Sequence, residues 1–154
     1  MSEVESGGEV RGVLLPLRQG QLLLPNAAVC EVVSYRQPDP LEGDGPGWVL
    51  GRFNWRNHAM PLVSYEALLD QEEGEIGHRA RVAICNTLSG DTLMPYIGIL
   101  LNSAPHLVRI TEQMIETQAG VQEAPMVKAA VSVNGVAALV PDLDALEAAL
   151  ADLK

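Results

Sequence analysis

The sequence predicts a mainly β protein made of two copies of a unit of about 75 residues, with short helices and one longer helix at the C-terminus. Three observations lead there. Most of the chain runs as short apolar stretches broken by Gly, Pro and Asn, which is the pattern of strands and tight turns. The two halves resemble one another at nearly constant shifts. Near the C-terminus the apolar residues change from strand to helical spacing.

Residues 1–9 are small, polar and acidic and read as a disordered tail. Strands follow at 13–17 and 21–24, flanking Arg18-Gln19-Gly20 as a hairpin connection, and at 29–34, where Glu31 interrupts a β-branched run. Residues 37–47 hold three prolines and three glycines, a density that only a loop tolerates. Residues 48–53 and 58–63 form the next strand pair, reversing at Arg56-Asn57-His58. Ser64 then caps a short helix over 65–69. An acidic loop at 70–77 precedes strands at 81–86 and 94–101, which turn at Ser89-Gly90-Asp91. Thr111 caps one helical turn over 111–114. Residues 129–133 and 136–140 pair across Asn134-Gly135, the strongest hairpin signal in the chain. Asp142 can cap the last segment, 143–153, where Leu143, Leu146, Leu150 and Leu153 share one helical face.

The duplication is read from two alignments. A shift of 76 superposes Asn26 on Asn102, Ala28 on Ala104 and Val32 on Val108. A shift of 78 places Phe53 on Val131, Arg56-Asn57 on Asn134-Gly135, Leu62 on Val140 and Leu68 on Leu146. Chance similarity among apolar runs is the alternative, but turns coincide as well as hydrophobic residues. A unit this small buries little core alone, so two lobes packed together, with strands shared or exchanged, are expected to leave a groove between them.

Composition narrows the function. The formal net charge of −10 disfavours nucleic acid and anionic membrane surfaces, and it also serves solubility. Cys30 and Cys85 lie 55 positions apart with no CxxC pair, which points to reduced thiols rather than a disulfide framework or zinc site. Cys30, inside its strand, reads as a small core or interface hydrophobe. His58, His78 and His106 are scattered without ligand spacing, so no metal is expected. The glycines of 43–47 are interleaved with proline and lack the Lys and Ser/Thr of a phosphate loop. No catalytic residue and no cofactor follow from the sequence. The N-terminus has no signal-peptide pattern and no run reaches membrane-spanning length, so a cytoplasmic protein is expected.

The stretch GRFNWRNHAMPLVSY over 51–65 is similar to a motif of the CheW-like adaptor family, a glycine followed by an Asn-x-Arg-Gly turn and a proline-containing strand end. Gly51, Asn54, Arg56 and Pro61 match. Leu24-Pro25 and Val29-Cys30-Glu31-Val32 resemble the strand upstream. Gly98 through Asn102, the segment 110–115 and the run 140–146 resemble the second half. The resemblance covers about residues 10–150. Asn57 stands where the family has glycine, Ser64 and Asn102 where it has aspartate, and Pro105 where a strand should continue, so an edge position or bulge is expected there.

This resemblance implies two SH3-like five-stranded β-barrel lobes, at roughly 20–80 and 95–150 with strands exchanged at the ends, in a single domain over 10–154. It implies a non-enzymatic adaptor that couples the cytoplasmic tip of a methyl-accepting chemoreceptor to the regulatory domain of a CheA-like histidine kinase. The output would be chemotaxis or pilus-driven motility. Glu31, Arg56, Val29, Val32 and Asn54 are the implied partner-binding residues, with Glu31 and Arg56 salt-bridged beneath the receptor groove. If that pair is partly buried, removing one member costs on the order of 3–5 kcal/mol; two unrelated surface charges are the alternative. Trp48, Phe53 and Trp55 suit a binding platform or the core equally. The rival function is a small-molecule-binding or enzymatic β-barrel that uses the groove as a pocket. A larger coupling protein with a receiver domain is a further rival, for which the chain has no room.

Overall fold

The computed structural model describes residues 10–17, 20–40, 47–69, 76–87, 95–110, 115–117, 127–133 and 135–151. It is mainly β. In chain order the strands are β1 (Val10–Pro16), β2 (Gln21–Pro25), β3 (Val29–Ser34), β4 (Val49–Trp55), β5 (His58–Val63), β6 (Arg81–Asn86), β7 (Tyr96–Leu101), β8 (His106–Ile110), β9 (Ile115–Thr117), β10 (Val127–Val133) and β11 (Val136–Pro141). A 3-10 turn, Asn26–Ala28, joins β2 to β3. Helix α1 (Tyr65–Leu68) follows β5, and α2 (Leu143–Ala151) follows β11.

The strands form two sheets. One has five strands in the order β3-β6-β7-β5-β4; the other has six, in the order β8-β1-β2-β11-β10-β9. The pairing senses repeat. Hairpin β6–β7 is antiparallel, joins β3 on one side and runs parallel to β5 on the other. Hairpin β1–β2 joins β8 and runs parallel to β11 in the same way. Without β9, the sheets superpose strand for strand, β3-β6-β7-β5-β4 on β8-β1-β2-β11-β10. The parallel contacts fall within one residue of corresponding places, Leu62 against Gly98 and Leu139 against Leu22, and Gly98 lies 76 positions after Leu22. The duplication is thus visible in topology, and each sheet contains a hairpin from the other half of the chain. The short β9 is the addition that makes the second sheet six-stranded rather than five.

This exchange explains the composition of the two hairpins. On β1 and β2, Val13, Leu15, Leu22 and Leu24 enter a central core while Leu14 and Leu23 enter a second cluster with Ile110, Val131, Val133 and Ala138. On β6, Ala83 and Cys85 enter the central core, and Val82 and Ile84 enter a third cluster with Phe53, Trp55, Met60 and Leu62. Strands buried on both faces must be apolar at consecutive positions, not only at alternate ones. The central core, also filled by Tyr65, Ile99, Leu101, Leu143, Leu146 and Leu150, therefore joins the two sheets. Burial pushes the Cys85 thiol up to about 12, with Cys30 nearby adding to the rise. Tyr65 is raised well above the usual phenol range, first by burial and then by Cys85 and Asp142.

The helix caps are as expected. Ser64 Oγ accepts from Ala67 N at 3.2 Å and Asp142 Oδ1 from Ala145 N at 3.0 Å. Pro105 precedes β8, an edge strand, which fits its missing N–H donor. Strands β8 and β9 carry no clear signal of their own in the sequence. The expected tail 1–9, the helical turn 111–114, the turn at 89–91, residues 18–19, 41–46 and 70–75, Asn134 and Leu153 lie outside the described residues.

Candidate partner-binding site

Strands β3 and β4 are the two edges of the five-stranded sheet, yet side chains join them. The Trp55 indole N–H of β4 donates to Glu31 Oε1 of β3 at 3.1 Å. The chain after β3 also lies along β4. Asp39 and Arg52 exchange backbone hydrogen bonds of 2.9 and 2.7 Å, Arg36 Nη2 donates to Asn54 O at 2.6 Å, and Asn54 Nδ2 donates to Asp39 Oδ2 at 3.0 Å. The sheet is therefore rolled until its edges meet. Gly51 permits this: its φ is +146°, and a Cβ there would collide with the backbone oxygen of Asp39.

Arg56 and Asn57 make a two-residue turn between Trp55 and His58, with φ of 47° and 65°. Two consecutive positive φ values are the type I′ geometry that fits the twist of a hairpin. Asn accepts that region readily; an arginine there is uncommon. The turn aims the Arg56 guanidinium across the Trp55 ring, 5.1 Å from its centroid, and brings Nη2 within 3.1 Å of Glu31 Oε1. Glu31, Trp55 and Arg56 thus form one cluster, in which a single carboxylate oxygen accepts from both an indole and a guanidinium. His58 and Tyr96 pack edge-on to each other at 5.0 Å, and Tyr96 is edge-on to Trp55 at 5.1 Å, which extends the cluster into an aromatic corner.

The expected ion pair is present, and its exposure decides how much it contributes to stability. The Arg56 side chain is 70% exposed and that of Glu31 39%, so the pair is not desolvated. Exposed pairs contribute about 0–1 kcal/mol, well short of the buried-pair cost. Val29 and Val32 flank Glu31 on β3 and are half-buried against the central core. Asn54 is engaged with Arg36 and Asp39. Cys30 is exposed, which excludes the core half of its reading as a core or interface hydrophobe. The register of β3 on β6 slips between Val29 and Glu31, and this bulge turns Cys30 outward. Phe53 and Trp55 are core residues, and Trp48 is half-buried against the central core, so the three do not form an open aromatic platform.

The sequence did not single out Trp55 as the partner of Glu31, nor Tyr96 and His58 as its neighbours. One signal was available. Trp55 follows Phe53 in the inward register of β4, so its ring must lie under the turn that begins one residue later. Arg36, whose guanidinium lies 4.9 Å from the Phe53 ring centroid, carries no such signal.

Two β sheets share a core, and the five-stranded one presents a polar cluster at its rolled edge. The CheW-like domain family matches residues 11–150, nearly the whole chain, and the protein belongs to that family. It is accordingly a non-enzymatic adaptor of chemosensory signal transduction. The fold is similar to that of the scaffolding protein TtCheW from Thermoanaerobacter tengcongensis, with a TM-score of 0.70 at 17% identity, covering 87% of this chain and 89% of that one. No curated protein matches the sequence. Among the described residues no helix is long and apolar enough to cross a membrane.

Proposed function

We propose that the protein couples the cytoplasmic tip of a methyl-accepting chemoreceptor to the regulatory domain of a CheA-type histidine kinase, in the cytoplasm, by contact geometry alone. Membership of the CheW-like family over residues 11–150 carries this reading. Within it, the Glu31–Trp55–Arg56 cluster, with Val29 and Val32 beside it and Asn54 behind it, is the receptor-binding end of the five-stranded lobe. Two observations support this assignment. Arg56 is held in an uncommon backbone conformation for little gain in stability, and strain of that kind is retained where geometry serves a purpose. The cluster also presents charge and apolar surface together at a sheet edge. The domain reads as two lobes, roughly 20–80 and 95–150, exchanging strands at their ends.

Individual contacts of this kind are weak and become strong through the multivalency of an array. The test is a pull-down with the purified regulatory domain of the cognate kinase and the receptor's cytoplasmic fragment, separately and together. The adaptor is expected to retain each and to bridge the two. Binding to neither would return the groove-as-pocket reading to first place.

A further inference from the structure

The two cysteines of the chain lie 55 positions apart in sequence, yet the fold brings them to adjoining strands. On the β3–β6 ladder Val29 stands opposite Cys85 and Glu31 opposite Ile84, so Cys30 is an extra residue between two rungs. A residue so placed has its Cα roughly 5–6 Å from that of Cys85. A disulfide requires a separation of roughly 4.4–6.8 Å. The two rungs face opposite ways. Val29 and Cys85 pack in the central core, whereas Ile84 belongs to the cluster of Trp55, to which Glu31 is hydrogen-bonded. Cys30 is the residue at which the strand changes face. It is exposed, while Cys85 has no exposure at all, and it lies near enough to add to the rise of the Cys85 thiol. The fold does not require this bulge. In the second copy β8 begins at His106, the counterpart of Cys30, and its ladder with β1 runs without a shift. Bulges of this kind re-aim a side chain and gather at functional places.

We propose that Cys30 and Cys85 form a reversible redox pair, in which hydrogen peroxide oxidises Cys30, Cys85 closes an intramolecular disulfide, and the receptor is released. Cys30 reacts first because it alone is open to solvent. Its thiolate attacks one peroxide oxygen and the O–O bond breaks. The leaving hydroxide takes up the proton that the thiol had lost, giving water and a sulfenic acid at Cys30. The Cys85 sulfur then attacks the Cys30 sulfur. The S–S bond forms, the S–O bond breaks, and the hydroxyl departs with the Cys85 proton as a second water. Two thiols lose two electrons and the peroxide gains them; a dithiol reductant reverses the change. Burial keeps Cys85 protonated, so the second step is the slower one. To reach Cys85 the Cys30 thiol turns inward, and the bulge turns with it. Glu31, the next residue, is then drawn away from Trp55 and Arg56, its partners in the candidate receptor surface. Formation of the disulfide is independent of the coupling reading; only its effect on the receptor rests on that reading.

The test treats the full-length protein with hydrogen peroxide, alkylates it, and reads the intact mass and a non-reducing digest. Before oxidation the folded protein should take the alkyl label at Cys30 alone. After oxidation it should lose the mass of two hydrogens and yield a linked pair of peptides carrying Cys30 and Cys85, which dithiothreitol separates. Cys85→Ala should stop at the sulfenic acid, which dimedone traps, and Cys30→Ser should give neither product. Receptor-fragment binding on the same samples should be lost on oxidation of the unaltered protein and return with dithiothreitol. In Cys30→Ser, whose Tm should match that of the unaltered protein, binding should persist through peroxide. Oxidation that leaves Cys85 free would overturn the pair, whether Cys30 ends as a sulfinic acid or joins the Cys30 of a second copy. A link between Cys30 and Cys85 that leaves receptor binding unchanged would overturn the switch. A receptor fragment that fails to bind the reduced protein would overturn the coupling reading instead, with the disulfide still decided by mass.

Discussion

The hairpin β4–β5 and its counterpart β10–β11 are the same object built twice. Both carry a register shift at the same place, between Val49 and Gly51 in the first and between Val127 and Ala129 in the second, 78 positions later. Both turn in two residues, and both lead into a helix whose capping side chain, Ser64 or Asp142, accepts from the backbone three residues on. They differ at a few corresponding positions. Gly51 stands in the first, where the Asp39 backbone approaches it, and Ala129 in the second. The first turn is Arg56-Asn57, and the second holds Gly135 at a φ of +87°. Tyr65 follows the first cap, where Leu143 follows the second. The second copy took the sequence that suits the backbone; the first departs from it around one surface cluster and one core phenol.

That contrast can be broken at several points. The largest effect is expected in alkali. In the unfolded chain the Cys85 thiol ionises near the ordinary thiol value of 9.0, whereas burial in the folded core pushes it up to about 12, and Tyr65 is shifted in the same direction. Between those values the unfolded state binds fewer protons, so the stability these groups contribute is complete below pH 9 and is lost as pH rises towards 12. Melting temperature followed from pH 8 to 12 should fall steeply, and less steeply in Tyr65→Phe and Cys85→Val. The next effect tests how the two helices differ in burial. Leu146→Ala, at a position of zero exposure, should cost about 2–5 kcal/mol in denaturant unfolding, and Leu68→Ala, at the half-buried counterpart, clearly less. At the bulges, Gly51→Ala should destabilise by roughly 2–4 kcal/mol through its positive φ and the clash with Asp39, while Ala129→Gly should cost no more than about 1 kcal/mol. The caps should behave alike, with Ser64→Ala and Asp142→Ala each losing about 1 kcal/mol by the same measurement.

The duplicated hairpins were legible because each is a local object. Asn134-Gly135 announces its turn, Ser64 and Asp142 announce their helices, and Leu143, Leu146 and Leu150 mark a buried helical face. Sheet order was not legible. The parallel contacts of Leu22 with Leu139 and of Leu62 with Gly98 join segments far apart in sequence, and no local pattern encodes them. The near-continuous apolar character of β1, β2, β6 and β7 is their trace, since it marks strands with two buried faces. Within the candidate site, the pairing of Glu31 with Arg56 came from family resemblance; residue type alone leaves two charges 25 positions apart. Whether the pair is buried was left open by the sequence, because β3 looks apolar there, while its bulge turns Cys30 outward and leaves Glu31 at a sheet edge.

The exposed setting of the cluster separates stability from function, and this makes the central claim testable in one measurement. Arg56→Glu should shift the free energy of unfolding by no more than about 1 kcal/mol. In a co-sedimentation assay with the kinase regulatory domain and the receptor fragment, the same variant should keep the kinase domain and lose the receptor. Restoration of receptor binding by the exchanged pair Glu31→Arg/Arg56→Glu would show that the geometry of the pair matters rather than the sign of either charge. Full ternary assembly by Arg56→Glu alone would contradict the assignment.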